Sequence, residues 1–293
     1  MTQITSDYTL AYSSPAAARL GGIFARPRAI AIVCIVALTG LGWAYLGLLV
    51  GGNIAAGGDF LSLFGALCRP AAGAAFLMPS GSWAVADLAL AFLMWGAMTF
   101  AMMLPSAGPM ILTYTEIADT AARQREQIVS PFLLAAGYAA IWLGFALVAC
   151  LVQAAMARAA LTENGMGPTS ALLSGVLFLG AGLYQFSALK QACLALCQRP
   201  FPFLFTNWTT KAAGVFRLGL RQGLHCLGCC WAMMLLMFAF GVMNIAWMAA
   251  LGILMTAEKL FATPRLSPLL GAAFIAVGLA FILAEAARAA FLG

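Results

Sequence analysis

Long apolar stretches separated by shorter polar segments dominate the chain. A helix needs roughly 20 mostly apolar residues to cross the hydrocarbon core of a bilayer, and seven stretches approach or exceed that length. The pattern therefore predicts an all-α fold, a polytopic transmembrane helix bundle of about seven spans. The predicted spans are Ala29–Val50, Trp83–Leu104, Pro131–Ala157, Ser170–Leu189, Leu224–Gly241, Ile245–Leu260 and Pro268–Ala287.

Three longer segments connect or precede these spans. Residues 1–28 form a polar N-terminal segment, residues 51–82 an outer loop and residues 190–223 a cytoplasmic loop. The first apolar run exceeds the 7–15 residues of a signal-peptide core, so we expect an uncleaved helix there. Because no linker or change of composition divides the chain, residues 1–293 are interpreted as a single transmembrane domain.

Composition and charge agree with this interpretation. Hydrophobic residues make up 64% and charged residues 8% of the chain, whereas about 25% of the residues in soluble domains are charged. With a cytoplasmic N-terminus, 12 of the 15 basic residues lie on the cytoplasmic side, as the positive-inside rule requires. We therefore expect a multi-pass protein of the bacterial inner membrane with an external C-terminus. Topology accounts for the net charge of +6 without a nucleic-acid partner.

Sulfur-containing residues concentrate in two of the predicted spans. Met98, Met102 and Met103 lie in the second span, and Cys226, Cys229 and Cys230 share one helix face of the fifth span. The two spans run in opposite directions, so both groups reach the cytoplasmic half of the membrane. Thiolate and thioether ligands select Cu(I), and less often zinc or iron.

Other polar residues at this depth extend the candidate site. His225 precedes the cysteines, and Glu258 and Lys259 close the sixth span, where either an internal charge pair or a role near the metal is expected. Cys193 and Cys197 could contribute to zinc binding, although their spacing is not a standard zinc motif. The predicted metal-site residues are Met98, Met102, Met103, His225, Cys226, Cys229, Cys230 and Glu258.

Two local features are predicted from turn and helix chemistry. Pro105 and Pro109 lack amide hydrogens and should end or kink the second helix. Val242–Asn244 should be the shortest connection between helices, with Asn244 capping the helix that follows.

Four motifs follow one another between Trp83 and Leu260. They are Met94-Trp95-x2-Met98-x3-Met102-Met103-x-Pro105, then Tyr184-Gln185 through Lys190 to Cys193-x3-Cys197, then Gly223-x2-Cys226-x-Gly228-Cys229-Cys230-Trp231, and Gly241-x-Met243-Asn244 with Trp247-Met248 and Glu258-Lys259. In this order they resemble a bacterial family of predicted metal-binding integral membrane proteins of unknown function. The resemblance covers roughly Trp83 to Leu260, and it implies a metal without naming a reaction.

Three functions compete at this point. The first is copper handling at a soft, sulfur-rich Cu(I) site, with a membrane or metallochaperone protein as partner. The second is a copper-dependent membrane oxidase or oxygenase acting on an apolar substrate, which would also need nitrogen or oxygen ligands such as His225, Tyr184, Glu258 or Asp87. The third is a structural subunit of a larger membrane complex. The sequence leaves open whether the protein is an enzyme.

Overall fold

The computed structural model describes residues 32–37, 39–44, 83–159, 169–242, 244–261 and 263–292, and these residues form helices and short connections without a β-sheet. The all-α prediction is therefore confirmed for this part of the chain. The predicted N-terminal segment 1–28 and outer loop 51–82 lie outside the described residues. The helices are α1 (Ile32–Ala44), α2 (Val85–Arg123), α3 (Pro131–Arg158), α4 (Ala171–Tyr184), α5 (Ala188–Gln198), α6 (Pro200–Thr206), α7 (Ala212–Leu235), α8 (Ile245–Leu260) and α9 (Leu266–Leu292).

Among the described residues, three helices are long and apolar enough to cross a membrane, namely α2, α3 and α9. A fourth span results if α4 and α5, which meet at a bend of 66°, count as one broken span. This is fewer than the seven spans predicted. The first predicted span, Ala29–Val50, is described only at residues 32–37 and 39–44 and so lies partly outside this count. The fifth and sixth fall short because the first half of α7 carries Arg217, Arg221 and Gln222 and because α8 has 16 residues.

The segment 190–223 is not a loop, which corrects the sequence interpretation. It contains most of α5, all of α6 and the first half of α7. Ser187 begins α5 by accepting a hydrogen bond from the backbone amide of Lys190 at 3.1 Å. Pro200 opens α6, where its missing amide hydrogen has no cost.

The 39-residue helix α2 passes through both of its prolines, so of the two predicted effects, an end or a kink, the end is wrong. Pro105 cannot donate to the carbonyl of Ala101, four residues earlier. The indole nitrogen of Trp43 on α1 donates to that carbonyl instead, at 3.3 Å. A neighbouring helix thus satisfies the acceptor that the proline leaves free, which allows α2 to continue.

Glycines bring α3 and α7 into backbone contact. A methyl group at Gly137 would lie 2.3 Å from the carbonyl oxygen of Phe216, and one at Gly219 would lie 2.1 Å from that of Leu134. Gly175 and Gly278 bring α4 and α9 together in the same way. Small residues at such crossings are typical of helices packed within membranes.

The turn before α8 confirms one prediction and corrects another. Asn244 caps α8, because its side-chain oxygen accepts from the amide of Trp247 at 3.0 Å. Gly241 provides the positive φ of 89° that the turn requires. This connection is not the shortest, however, since Arg199 alone separates α5 from α6.

Candidate metal centre

Sulfur atoms from α2, α5 and α7 converge on one buried place. We call the thiols of Cys197, Cys226, Cys229 and Cys230, together with the thioether of Met103, the sulfur cluster. The thiol of Cys226 makes side-chain contacts with the other three thiols. Cys226, Cys229 and Cys230 are each at most 3% exposed, so these three thiols are shielded from solvent, whereas Cys197 is only partly buried.

Helix geometry orients the thiols of α7. Residues three and four positions apart lie on the same helix face, and the thiols of Cys229 and Cys230 both donate to the carbonyl oxygen of Cys226, at 3.1 Å and 2.9 Å. These bonds hold the two side chains against Cys226. The shared face predicted for these cysteines is therefore present.

Met103 brings α2 to the cysteines. Its sulfur lies 3.9 Å from that of Cys230, so one of the three methionines predicted for the site reaches the cysteines. Met98 and Met102 are also buried, but Met102 points toward α8, where its side chain packs against Gly252.

Lys259 and Tyr138 complete the surroundings of Cys226. The ammonium group of Lys259 donates to the sulfur of Cys226 and to the hydroxyl of Ser106, both at 3.0 Å, and lies 3.7 Å from the sulfur of Met103. The hydroxyl of Tyr138 lies 3.0 Å from the sulfur of Cys226 and donates to the carbonyl of Met103 at 3.2 Å. A positive charge and a polar hydroxyl thus flank the central thiol.

Close packing of α5 against α7 brings further sulfur near the cluster. A methyl group at Gly228 would lie 2.7 Å from the sulfur of Cys193, so the glycine leaves room for this side chain. The hydroxyl of Tyr184 donates to the carbonyl of Gly228 at 2.5 Å. α4 and α5 therefore both contact α7 at Gly228, beside the cluster.

Two predicted site residues have other surroundings. His225 is half-buried, and its ring packs edge-on against Phe203 at a centroid distance of 5.7 Å. Glu258 pairs with Lys190 at 2.7 Å and accepts from the hydroxyl of Ser267 at 2.7 Å. Lys190 also donates to the side chain of Gln185. Glu258 thus forms the internal charge pair that the sequence left as one alternative, and its partner is Lys190.

The donor set suits a soft ion of low coordination number. In the part of the chain that the structure describes, no three His, Cys, Asp or Glu side chains are arranged to hold one metal ion. The cluster is therefore not a preformed cage of three or four such ligands. Cu(I), which binds linearly between two sulfurs, needs no cage, and the buried thiols and thioether are the donors that it prefers.

Comparison with known proteins identifies a family for this chain. The sequence profile of the PpoB2 family, described as copper chaperone, matches residues 92–281, well over half of the chain. The chain belongs to this copper chaperone family. The matched range contains α3 to α8 and the whole sulfur cluster, so the metal-related resemblance inferred from the motifs is supported. No curated protein and no solved structure matches the chain significantly.

Three residues of the site were missed or undervalued in the sequence. Cys197 was considered for zinc alone, Lys259 only together with its neighbour Glu258, and Tyr138 not at all, yet all three contact Cys226. The pairing of Glu258 with Lys259 at the end of a span signalled a functional position. It did not reveal that the two side chains point to different neighbours.

Proposed function

We propose that the protein is an integral membrane copper chaperone that binds Cu(I) at the sulfur cluster and passes it to a partner protein. The observation that carries the proposal is the meeting of four thiols and one thioether from three helices around Cys226. Membership of the copper chaperone family supports copper as the cargo. The partner would be a membrane protein or a metallochaperone.

The chemistry of the cluster favours Cu(I) over zinc. Structural zinc is held tetrahedrally by four ligands, whereas two thiolates suffice for Cu(I). The sulfur of Cys226 with that of Cys197 or Cys230 provides such a pair, and the thioether of Met103 offers a weaker third donor. A chaperone benefits from few ligands, because each bond must be broken when the ion is passed on.

We place the protein in the bacterial inner membrane with a cytoplasmic N-terminus, an external C-terminus and about seven spans. Exposed apolar side chains support this location: Leu143, Leu147 and Leu151 form an outward stripe on α3. Leu269 and Leu283 on α9 are each 67% exposed. Such large apolar surfaces are rare on soluble monomers and typical of contact with lipid.

The geometry gives less support to a copper-dependent oxidase or oxygenase. Such an enzyme would need hard ligands next to the sulfurs. Asp87 accepts a hydrogen bond from the amide of Ala84 at the start of α2, Glu258 pairs with Lys190, and His225 packs on Phe203. Each of these candidate ligands is occupied with another contact.

The proposal is tested by measuring bound metal in the purified full-length protein. Protein in detergent, reduced without added thiols, is loaded with Cu(I) or with Ag(I), its redox-inert analogue, and metal per protein is determined by mass spectrometry. We expect wild type to retain one ion and Cys226→Ser to lose it, since serine replaces the central soft donor with a hard one.

Cys150→Ser provides the matched control. Cys150 is also buried, but it lies on α3 and its thiol donates to the carbonyl of Leu88 at 3.4 Å, a bond that serine can replace. This variant should retain metal like wild type. Equal metal content in wild type and Cys226→Ser would refute the site, and absence of metal from both would refute the function.

A further inference from the structure

Lys259 is a buried cation whose surroundings differ from those of the other buried lysine. Lys190 is fully buried and pairs with the carboxylate of Glu258 at 2.7 Å. Lys259 is 6% exposed, and among the described residues its polar contacts are Cys226, Ser106 and Met103, with no carboxylate. The group that can neutralise Lys259 is therefore a cysteine sulfur.

A buried charge without an opposite charge nearby, as on the ammonium of Lys259, is strongly unfavourable. Unpaired ions lose their hydration on burial, and a buried pair is tolerated when the opposite charge lies close. The 3.0 Å contact between the ammonium of Lys259 and the sulfur of Cys226 meets this condition when that sulfur is a thiolate. The cluster thus contains a fixed positive charge in direct contact with its central donor.

We propose that Lys259 determines which cations the sulfur cluster accepts, selecting monovalent soft ions over divalent ones. This inference rests on the proposed function. Two thiolates next to one ammonium carry a net charge of minus one. A single Cu(I) or Ag(I) brings that charge to zero, whereas Zn(II) or Cd(II) leaves an excess positive charge in a buried place.

The strength of this selection follows from distance and environment. Two unit charges a few ångström apart interact several times more strongly inside a protein than in bulk water, because the effective dielectric constant is lower there. A second positive charge on the bound ion therefore has a substantial cost while Lys259 remains charged. Removing the charge of Lys259 should relieve that cost for divalent ions and leave the monovalent complex with an excess negative charge.

The first test replaces Lys259 by glutamine in the full-length protein purified in detergent. Affinities for Ag(I) and Cd(II) are measured by competition with chelators of known affinity. We expect Lys259→Gln to shift the ratio of the two affinities toward Cd(II) by about tenfold or more. Lys211→Gln removes the same charge from an exposed position and should leave the ratio unchanged.

A second variant tests the same idea with Lys259 in place. Ser106→Asp would put a carboxylate next to the ammonium, because the hydroxyl of Ser106 lies 3.0 Å from it. The added negative charge should also favour Cd(II), while Ser106→Asn, of similar shape and neutral, should not. This pair gives a result even if Lys259→Gln does not fold.

The outcomes separate the two proposals. A wild-type protein that binds neither Ag(I) nor Cu(I) refutes the copper function itself. If the wild type binds Ag(I) but Lys259→Gln and Ser106→Asp show the same preference for Ag(I) over Cd(II) as the wild type, the copper function stands. The proposed role of Lys259 is then overturned. A shift of equal size in Lys211→Gln would also overturn that role, because the effect would then not depend on position.

Discussion

At the scale of single residues, neighbouring side chains on one helix have different surroundings. Met103 contacts Cys230 and Lys259 through its sulfur, whereas Met102 packs against Gly252 of α8. The difference follows from helix geometry, because consecutive residues are rotated by about 100° around the axis. One of these adjacent methionines is therefore positioned to act as a ligand and the other to fill space.

This difference gives a prediction for substitutions by leucine. Met103→Leu should weaken Ag(I) binding, because it removes the thioether next to Cys230, while Met102→Leu should leave the affinity unchanged. Both variants should remain folded, since swaps of similar volume usually cost less than about 1.5 kcal/mol. Competition titrations with a chelator measure the affinities. A larger loss of affinity in Met102→Leu than in Met103→Leu would contradict the assignment.

The sequence could indicate the cysteines of the site but not everything around them. The spacing of Cys226, Cys229 and Cys230 alone places them on one face, and the structure agrees. Contacts of Cys226 with Lys259 and Tyr138 depend on how α8 and α3 pack, which no local pattern encodes. His225 was assigned to the site because it is next to Cys226 in the chain, yet one residue along a helix points to another face.

At the scale of helices, the end of α8 joins two polar networks. Glu258 faces Lys190 and Ser267, and its neighbour Lys259 faces Cys226 and Ser106. The side-chain amide of Gln198 donates to the backbone carbonyl of Glu258 at 2.8 Å, which connects α5 to the end of α8. Packing at the end of α8 therefore links the sulfur cluster, through Lys259, to the charge pair of Glu258 with Lys190.

Breaking the Lys190–Glu258 pair should destabilise the fold without removing a metal ligand. Glu258→Gln leaves the ammonium of Lys190 buried without its counter-charge, and loss of one partner of a buried ion pair typically costs 3–5 kcal/mol. The thermal unfolding midpoint in detergent should fall, while the folded fraction should still retain Ag(I). The double variant Lys190→Met/Glu258→Gln should recover much of the lost stability. A fully stable Glu258→Gln that no longer binds Ag(I) would instead identify Glu258 as a ligand.

The crossing of α3 and α7 gives a second prediction at this scale. Gly219→Ala would put a methyl group 2.1 Å from the carbonyl oxygen of Leu134, so the two backbones must separate and the unfolding midpoint should drop markedly. An added methyl group at Gly144, which is on α3 away from this crossing, would meet nothing within 4 Å. Gly144→Ala should be neutral or slightly stabilising, because alanine is the better helix former. Equal midpoints for the two variants would show that the crossing is not tightly packed.

Hydropathy predicted some helices well and others poorly for identifiable reasons. α2, α3 and α9 correspond to long apolar runs and were recognised, although α2 is longer than predicted because Trp43 satisfies the carbonyl that Pro105 leaves free. The helices within 190–223 were missed because their polar residues suggested a loop. They are stabilised by caps such as Ser187 and by packing at Gly219 and Gly228, and average hydropathy does not detect either effect.

At the scale of the whole molecule, apolar and charged residues have distinct distributions. Outward-facing leucines cover α3 and α9, while the buried charges Lys190, Glu258 and Lys259 gather at the sulfur cluster and beside it. Buried ionisable groups are costly in an apolar solvent, so they are kept where they serve a site. In the described part of the chain, apolar side chains thus face outward while buried charges and sulfurs gather inside, which is the arrangement that the proposed membrane copper chaperone requires.

The topology of the whole chain is predicted from the positions of its basic residues. With the N-terminus in the cytoplasm, Arg217 and Arg125 lie on the cytoplasmic side and Glu163 lies outside. Fusions of a reporter active in the cytoplasm should therefore be active at Arg125 and Arg217 and inactive at Glu163, with the opposite pattern for a reporter active outside. The difference between Arg217 and Glu163 requires an odd number of crossings between them, and α4 and α5 supply one crossing if they act as a single broken span. Equal activity at these two sites would show that α4 and α5 re-enter the same side, and the seven-span arrangement would then be wrong.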